Sequence, residues 1–334
     1  MFPAEFILNQ LQTCSKYCLT EEDKKILQKG KRDFIIKKLL SKKFKKWSVD
    51  GEVMNRLTSV VDKSIKNNSP IKFAFPFGGY KLWRFDTAPE VDWSEFFAIA
   101  YFCEYISSIL SAHEPGVIFQ FFSDDIIIER MNNIQKNDLK NYLDSFRKLI
   151  ECFKPFFPAN LKIELIRIGD FYGDEFDEEI NRLVSELNIT EMWGDEAKRE
   201  KMLKTSKLNY KFDGVEDFTE LTETEKQKKL EMAVIFHEAY RKVLQKIITV
   251  YPPDKIVLSS RPSPQTIPLG SCKNSAIKFW CGYGILERDG DELVERILSY
   301  EQWKKLASTQ YEQAAIPNFQ LKNLQSIKIY PKQG

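Results

Sequence analysis

Two spacings of apolar residues alternate along the chain. Ile71–Phe75, Val117–Phe122, Leu161–Ile168 and Ile256–Ser259 are short apolar runs bounded by turn-forming residues such as Asn67-Asn68-Ser69-Pro70, Pro76, Pro115-Gly116 and Pro252-Pro253. Runs of this length read as buried strands. Between and after them, Val91–Leu110, Asp138–Phe153, Asp177–Leu187 and Glu223–Val250 carry apolar residues at helical spacing, and Asp92 or the preceding loop caps the first. Val117–Phe122 is almost apolar throughout, which suits a strand covered on both faces of a parallel sheet. Strands alternating with helices predict βαβ units and an α/β fold. Ala276–Ile285 is expected to be a further strand or hairpin, and Asn188–Thr222, charged and weakly patterned, an inserted helical lid or a loop.

Residues 21–67 read as helical, with Thr20 as N-cap and Glu21, Glu22 and Asp23 in the first turn. From Lys24 to Lys46 there are eleven basic residues against one acid, Asp33, with Ile26, Leu27, Phe34, Ile35, Leu39, Leu40 and Phe44 recurring between them. Such a helix either packs its apolar stripe on its own domain or docks on a membrane or nucleic acid. The expected layout is an N-terminal helical segment, 1–68, packed on a catalytic domain, 69–334, with 188–222 as a possible lid insertion.

Charge and composition narrow the chemistry. A net charge of +2 argues against a dedicated nucleic-acid binder. Six scattered cysteines, of which only Cys14 and Cys18 are close, fit reduced thiols of a cytoplasmic protein rather than a zinc site. No apolar run reaches the length of a membrane span. No phosphate-binding GxxxxGK[ST] or dinucleotide GxGxxG pattern occurs, and two histidines, His113 and His237, are too few for a His-rich metal centre.

Three segments could carry a site. Phe75-Pro76-Phe77-Gly78-Gly79-Tyr80-Lys81-Leu82-Trp83-Arg84 follows a strand, at the sheet edge where open α/β folds bind ligands. There Gly79 would admit a ligand to the backbone, and Lys81 and Arg84 would supply charge; the alternative is an ordinary strand-to-helix turn. Ser123-Asp124-Asp125 ends another strand. It suits hydroxyl contacts, a general base, a helix cap, or the metal pair of a nucleotide-sugar glycosyltransferase. Ser259, Arg261, Ser271, Lys273 and Lys278 lie in and after a Pro-rich loop that would cradle a phosphate, with Lys273 also a candidate for proton transfer or Schiff-base chemistry.

In their order, these segments resemble the pyoverdine/dityrosine biosynthesis family, best known for isonitrile (isocyanide) synthases. The residues that carry the resemblance are Phe75-Pro76, Arg84, Pro89-Glu90 and Glu95, then Pro115-Gly116, Ser123-Asp124-Asp125 and Tyr142, then Leu258-Ser259, Arg261-Pro262 and Gly270-Ser271-Cys272-Lys273. They span roughly residues 70–285. Three positions depart from the family pattern: Asp125 stands where it has Gly, Arg261 where it has His, and its first loop Lys falls near Gly78, with Lys81 close by. The resemblance implies a Rossmann-like fold, a mostly parallel sheet flanked by helices. It implies a reaction joining the amine of an aromatic amino acid to a carbon of ribulose 5-phosphate, with no metal or redox cofactor. It places Lys273 and Arg261 near phosphate or in proton transfer, Lys81 and Arg84 on anions, and Ser123 and Asp124 on hydroxyls or the amine.

Overall fold

The computed structural model describes residues 2–13, 17–44, 48–49, 51–85, 89–130, 134–171, 175–209, 221–247, 254–259, 266–269, 276–317 and 319–332. Four helices come first: α1 (Pro3–Thr13), α2 (Glu21–Lys29), α3 (Lys31–Leu39) and α4 (Gly51–Lys66). The stretch 21–67, read as helical, is divided among α2, α3 and α4, and the basic helix expected over 24–46 is split at Gly30. Gly30 closes α2 with extended backbone while also standing as the N-cap of α3. Phe34, Ile35, Leu39 and Phe44 enter the main core. The basic run is matched by acids: Lys24 pairs with Glu21, Lys37 with Glu22, Lys38 with Asp23 and Lys43 with Glu104. These helices share one core with the parallel sheet.

That sheet holds β1 (Ile71–Phe77), β2 (Val117–Ser123), β3 (Leu161–Arg167), β4 (Ile256–Ser259) and β5 (Ile267–Pro268) in the order β3-β2-β1-β4-β5, all parallel. The helices between strands are α5 (Trp93–Ala112), α6 (Asp125–Arg130), α7 (Lys136–Phe153), α8 (Glu175–Glu186), α9 (Ile189–Trp193), α10 (Glu196–Asn209) and α11 (Glu223–Ile247). The α/β expectation thus describes this part of the chain, and Asn188–Thr222 is helical over α9 and α10. Pro76, expected to end β1, lies inside it. The β1–β2 ladder runs on to Phe77, while β4 pairs with β1 only at Phe73 and Ala74, so Pro76 sits where β1 has a partner on one side alone.

Strand alternation sorts the side chains. Phe73, Phe75 and Phe77 of β1 and Phe119 and Phe121 of β2 face α5 and α7 and build the main core. Their rings interlock with Phe102, Phe146 and Phe279 at centroid distances of 4.7–6.2 Å. Contrary to the expectation that no apolar run reaches the length of a membrane span, α5 is long and apolar enough to cross one, but it is almost wholly buried inside the protein. The opposite sheet face carries a smaller cluster of Ala74, Phe122, Ile168 and Val257.

The chain ends in a second sheet that the sequence reading largely missed. β6 (Gly282–Asp289), β7 (Glu292–Ser299), β8 (Glu312–Ala315) and β9 (Ser326–Pro331) assemble in the order β7-β6-β9-β8, with α12 (Tyr300–Leu306) after β7. The strand or hairpin expected over Ala276–Ile285 begins only at Gly282. Residues Ala276–Cys281 form tight helical turns kinked at Lys278, because Phe279 is drawn into the aromatic core. This sheet packs on the start of α5 so closely that a Cβ at Gly284 would lie 2.3 Å from the Ser94 nitrogen.

Candidate functional site

The carboxyl ends of β1, β2 and β3 lie side by side, with Phe77, Ser123 and Arg167 in register. This is the edge at which an open parallel sheet presents ligand-binding loops. The Asp124 N–H donates to the Phe77 carbonyl (2.8 Å), which fixes the step from β2 into α6. Ser123 is fully buried and its hydroxyl has no hydrogen-bond partner among the described residues. Buried polar groups without partners are rare, so an orphan hydroxyl at this edge marks a place where a ligand atom would be held.

Asp124 and Asp125 do not act as a pair. Asp125 is buried, accepts from Arg167 Nε (3.0 Å) and Nη2 (2.9 Å) through one oxygen, and accepts from the Gly169 N–H (2.8 Å) through the other. Its charge is spent on holding the end of β3, and a Cβ at Gly169 would lie 2.7 Å from the carboxylate. Asp124 turns to the opposite partner set, accepting from Tyr240 Oη (2.5 Å) and weakly from the Ile127 N–H (3.4 Å), both through Oδ1. Burial pushes its carboxyl up to about 7 against those two hydrogen bonds, with the Asp125 charge adding to the rise. A desolvated carboxyl titrating near neutrality is suited to general acid–base work. Among the described residues no group of His, Cys, Asp and Glu could hold a metal ion. The divergence of Asp124 and Asp125 separates the two ligands that the glycosyltransferase reading required.

The loop after β1 is built for close packing. A Cβ at Gly79 would lie 2.7 Å from two carbons of Ile128 on α6, and one at Gly78 would lie 3.7 Å from the Trp280 ring. The lack of side chains there lets the loop pass between α6 and the segment before β6. Lys81, expected as an anion anchor, is instead fully buried. Its ammonium donates to Asp92 Oδ2 (2.8 Å), Ser94 Oγ (2.9 Å) and both Glu95 oxygens (2.7 Å each). In this arrangement Lys81 is an internal counter-ion, with no donor turned to an external anion. Burial alone would lower the ammonium, but the charges of Asp92 and Glu95 outweigh it and hold it above its ordinary value. Arg84 lies over the Tyr300 ring at 5.4 Å, on the side of the second sheet.

Asp92 and Glu95 form the capping box of α5, the Asp92 N–H donating to Glu95 Oε2 (2.8 Å). Tyr142 of α7 donates to Glu95 Oε1 (2.9 Å) and Ser94 Oγ lies 3.2 Å from the Phe279 carbonyl. One buried knot therefore ties the loop after β1, α5, α7 and the Phe279 turn together. Burial is the chief cause pushing Glu95 up, to about 7, with Lys81 opposing and Asp92 adding. Glu95 and Tyr142, named by the resemblance without roles, are placed here as partners.

Of the phosphate loop, Ser259 and Lys278 are described. Ser259 ends β4, its carbonyl accepting from the Leu269 N–H (2.8 Å) and its hydroxyl 2.7 Å from the Thr266 hydroxyl. Lys278 is exposed on the turn before β6. Arg261, Ser271 and Lys273 lie outside the described residues. The structure thus brings Ser123 and Asp124 together at the sheet edge, packs Gly79 of the loop after β1 against Ile128 of α6, and takes Lys81 and Arg84 away into packing. Tyr240 was missed. It lies 116 residues beyond Asp124 in a helix full of apolar positions, and no local pattern marks it.

No protein-family model matches the sequence, and neither does any curated protein. The fold is matched by the crystal structure of the PvcA protein from Pseudomonas aeruginosa at a TM-score of 0.58. The match covers 90% of this chain and 100% of that one, at 14% sequence identity. The two proteins share a fold, the Rossmann-like parallel sheet flanked by helices.

Proposed function

We propose that this chain is an enzyme of the isonitrile-synthase type, joining the amine of an amino acid, aromatic in the family it resembles, to a carbon of ribulose 5-phosphate or a related sugar phosphate. One observation carries the reading. At the carboxyl end of β2 a carboxyl raised by burial to about 7, Asp124, stands next to a buried hydroxyl with no partner among the described residues, Ser123. The shared fold with PvcA supports it, as does the ordered set of residues that resembles the isonitrile-synthase family.

The chemistry assigns each residue a task. An amino acid arrives as an ammonium and must lose a proton before its nitrogen can attack the ketose carbonyl. Asp124, titrating near neutrality, takes that proton and returns it where the carbonyl oxygen becomes a hydroxyl. The Ser123 hydroxyl hydrogen-bonds the reacting amine or a sugar hydroxyl. Arg261, Lys273, Ser271 and Lys278 hold the phosphate, with Lys273 within the proton-transfer chemistry, and the Ser259–Thr266 hydroxyl pair lines the same sheet edge. Gly79, Lys81 and Arg84 fix the wall formed by the loop after β1. No metal or redox cofactor enters the reaction the resemblance implies.

The test is incubation of the protein with ribulose 5-phosphate and a panel of amino acids including Tyr and Trp, followed by infrared detection of the isonitrile stretch. Product from the wild type and its loss in Asp124→Asn support the reading. Absence of product across the panel, or full activity in Asp124→Asn, removes it.

A further inference from the structure

We infer that Tyr240 is a positioning residue of this site, setting the orientation of the Asp124 carboxylate from a helix pair that belongs to a separate hydrophobic cluster. The inference rests on the reading of Asp124 as the proton-accepting group of the proposed reaction. The helix pair is α8 and α11. They build their own core of Phe176, Ile180, Leu183, Ala239, Tyr240 and Val243, distinct from the main core. This cluster meets the rest of the protein through Ile126 and Ile127 of α6, the helix that begins at the residue after Asp124.

The Tyr240 ring has little freedom. It is buried, stacked on Phe236 (centroids 6.4 Å apart, planes at 8°) and met edge-on by Phe176 (6.3 Å, 90°). A ring clamped in this way directs its hydroxyl along one line, and that line ends on Asp124 Oδ1 at 2.5 Å. The Ile127 N–H reaches the same oxygen. Both donors therefore hold Oδ1, and Oδ2 has no hydrogen bond among the described residues. Two donors on one oxygen fix the plane of the carboxylate and leave the other oxygen, which has no donor among the described residues, to receive a proton.

The same hydrogen bond sets when that oxygen carries a charge. From α6 the charged neighbour is Asp125, which disfavours a second negative charge but is itself tied to Arg167. From α11 the titratable neighbour is Tyr240, and β1 contributes only the Phe77 carbonyl, which accepts the Asp124 N–H. Tyr240 Oη–H is thus the strongest group favouring the ionised form, working against burial. Without it, Asp124 would hold its proton to higher pH and serve as a base in less of the protein at neutrality.

The experiment is a carboxyl 13C NMR titration of Asp124, assigned by its disappearance in Asp124→Asn, in the substrate-free protein. In Tyr240→Phe the midpoint rises by about one pH unit, a tenfold change in proton affinity, and the acidic limb of the activity profile moves with it. Leu183→Ala loosens the same cluster at a position that is not one of the two rings clamping Tyr240; it lowers the melting temperature and leaves the midpoint in place. Uniform replacement of tyrosine by 3-fluorotyrosine, whose more acidic hydroxyl is a better donor, lowers the midpoint without any change of sequence. The inference is overturned if the midpoint stays put in both Tyr240→Phe and the fluorinated protein, or moves as far in Leu183→Ala. Because the titration needs no turnover, a protein that makes no isonitrile still tests Tyr240. Product formation with an unmoved midpoint would remove Tyr240 from the site and leave the proposed reaction standing.

Discussion

Replacing Lys81 by methionine keeps most of the side-chain volume and deletes the positive charge between two buried carboxylates. Asp92 and Glu95 would then face each other at 2% and 0% exposure, with their ammonium partner gone. Removing one member of a buried ion pair costs about 3–5 kcal/mol, and here a single ammonium serves two carboxylates, so the loss falls at about 4–5 kcal/mol at pH 8. Glu95 offers an escape. Its carboxyl is raised from an ordinary 4.5 to about 7 in the folded protein, so the folded state binds a proton more tightly than the unfolded chain. That contribution to stability is present in full below about 4.5 and is lost as the pH rises through 7. Without Lys81 the folded value climbs further, and each unit is worth about 1.4 kcal/mol. Half or more of the loss should be recovered at pH 5.5. Urea denaturation of wild type and Lys81→Met at both pH values, followed by tryptophan fluorescence, measures it. Adding Glu95→Gln should restore much of the stability at pH 8. A loss below about 1 kcal/mol at pH 8, or one equal at the two pH values, would refute the charge argument.

Three further expectations follow from packing and charge. Gly79→Ala places a methyl 2.7 Å from Ile128 carbons and should cost about 1–3 kcal/mol, most of it returned by Ile128→Val in a denaturation series. Gly116→Ala sets a Cβ 1.8 Å from the Asn160 carbonyl oxygen at a φ of +78°, so soluble yield should collapse; normal expression and melting would contradict the geometry. Asp23 is opposed by burial but drawn down to about 2 by hydrogen bonds from Lys38, Tyr17 and Thr20. Its stabilisation is therefore present above about 3.8 and lost as pH falls toward 2, and Asp23→Asn should flatten the acid-denaturation curve over that interval.

Four strands of the parallel sheet and the long helices between them were legible because each shows a clear period and a chemical stop, whereas the two-residue β5, inside what reads as a Pro-rich loop, was not. Ile256–Ser259 coincides with β4, and Asp92 is the cap of α5. β1 was read short because Pro76 carries the usual signal of a strand end, and only the neighbouring strand shows that its ladder is unpaired on one side there. The second sheet went largely unread although Asp289-Gly290 is a hairpin signal between apolar alternations, and Gly290 indeed has φ +61°. Lys81 looked like a loop cation because the carboxylates that bury it lie eleven and fourteen residues on. Tyr240 was beyond reach, since its partner is set by how α11 docks and not by any local spacing. Asp124 and Ser123 stand out in the sequence because a strand end in an α/β chain is a chemically meaningful address before any coordinate is known.

The Asp92 carboxylate accepts the Ser94 N–H that opens α5 (2.6 Å) and also the Gly284 N–H of β6 (3.3 Å). A helix cap is ordinarily a private matter of one helix, free to fray by itself. Here the same oxygen is a rivet between two sheets, and Trp93 beside it donates to the Ser326 carbonyl of β9 (2.7 Å). The first turn of α5 cannot loosen without releasing the C-terminal strands, and those strands cannot lift without uncapping the helix that runs through the centre of the core. The two layers are thereby joined into a single melting unit, with β6 and β9 acting as a clasp on the first turn of α5.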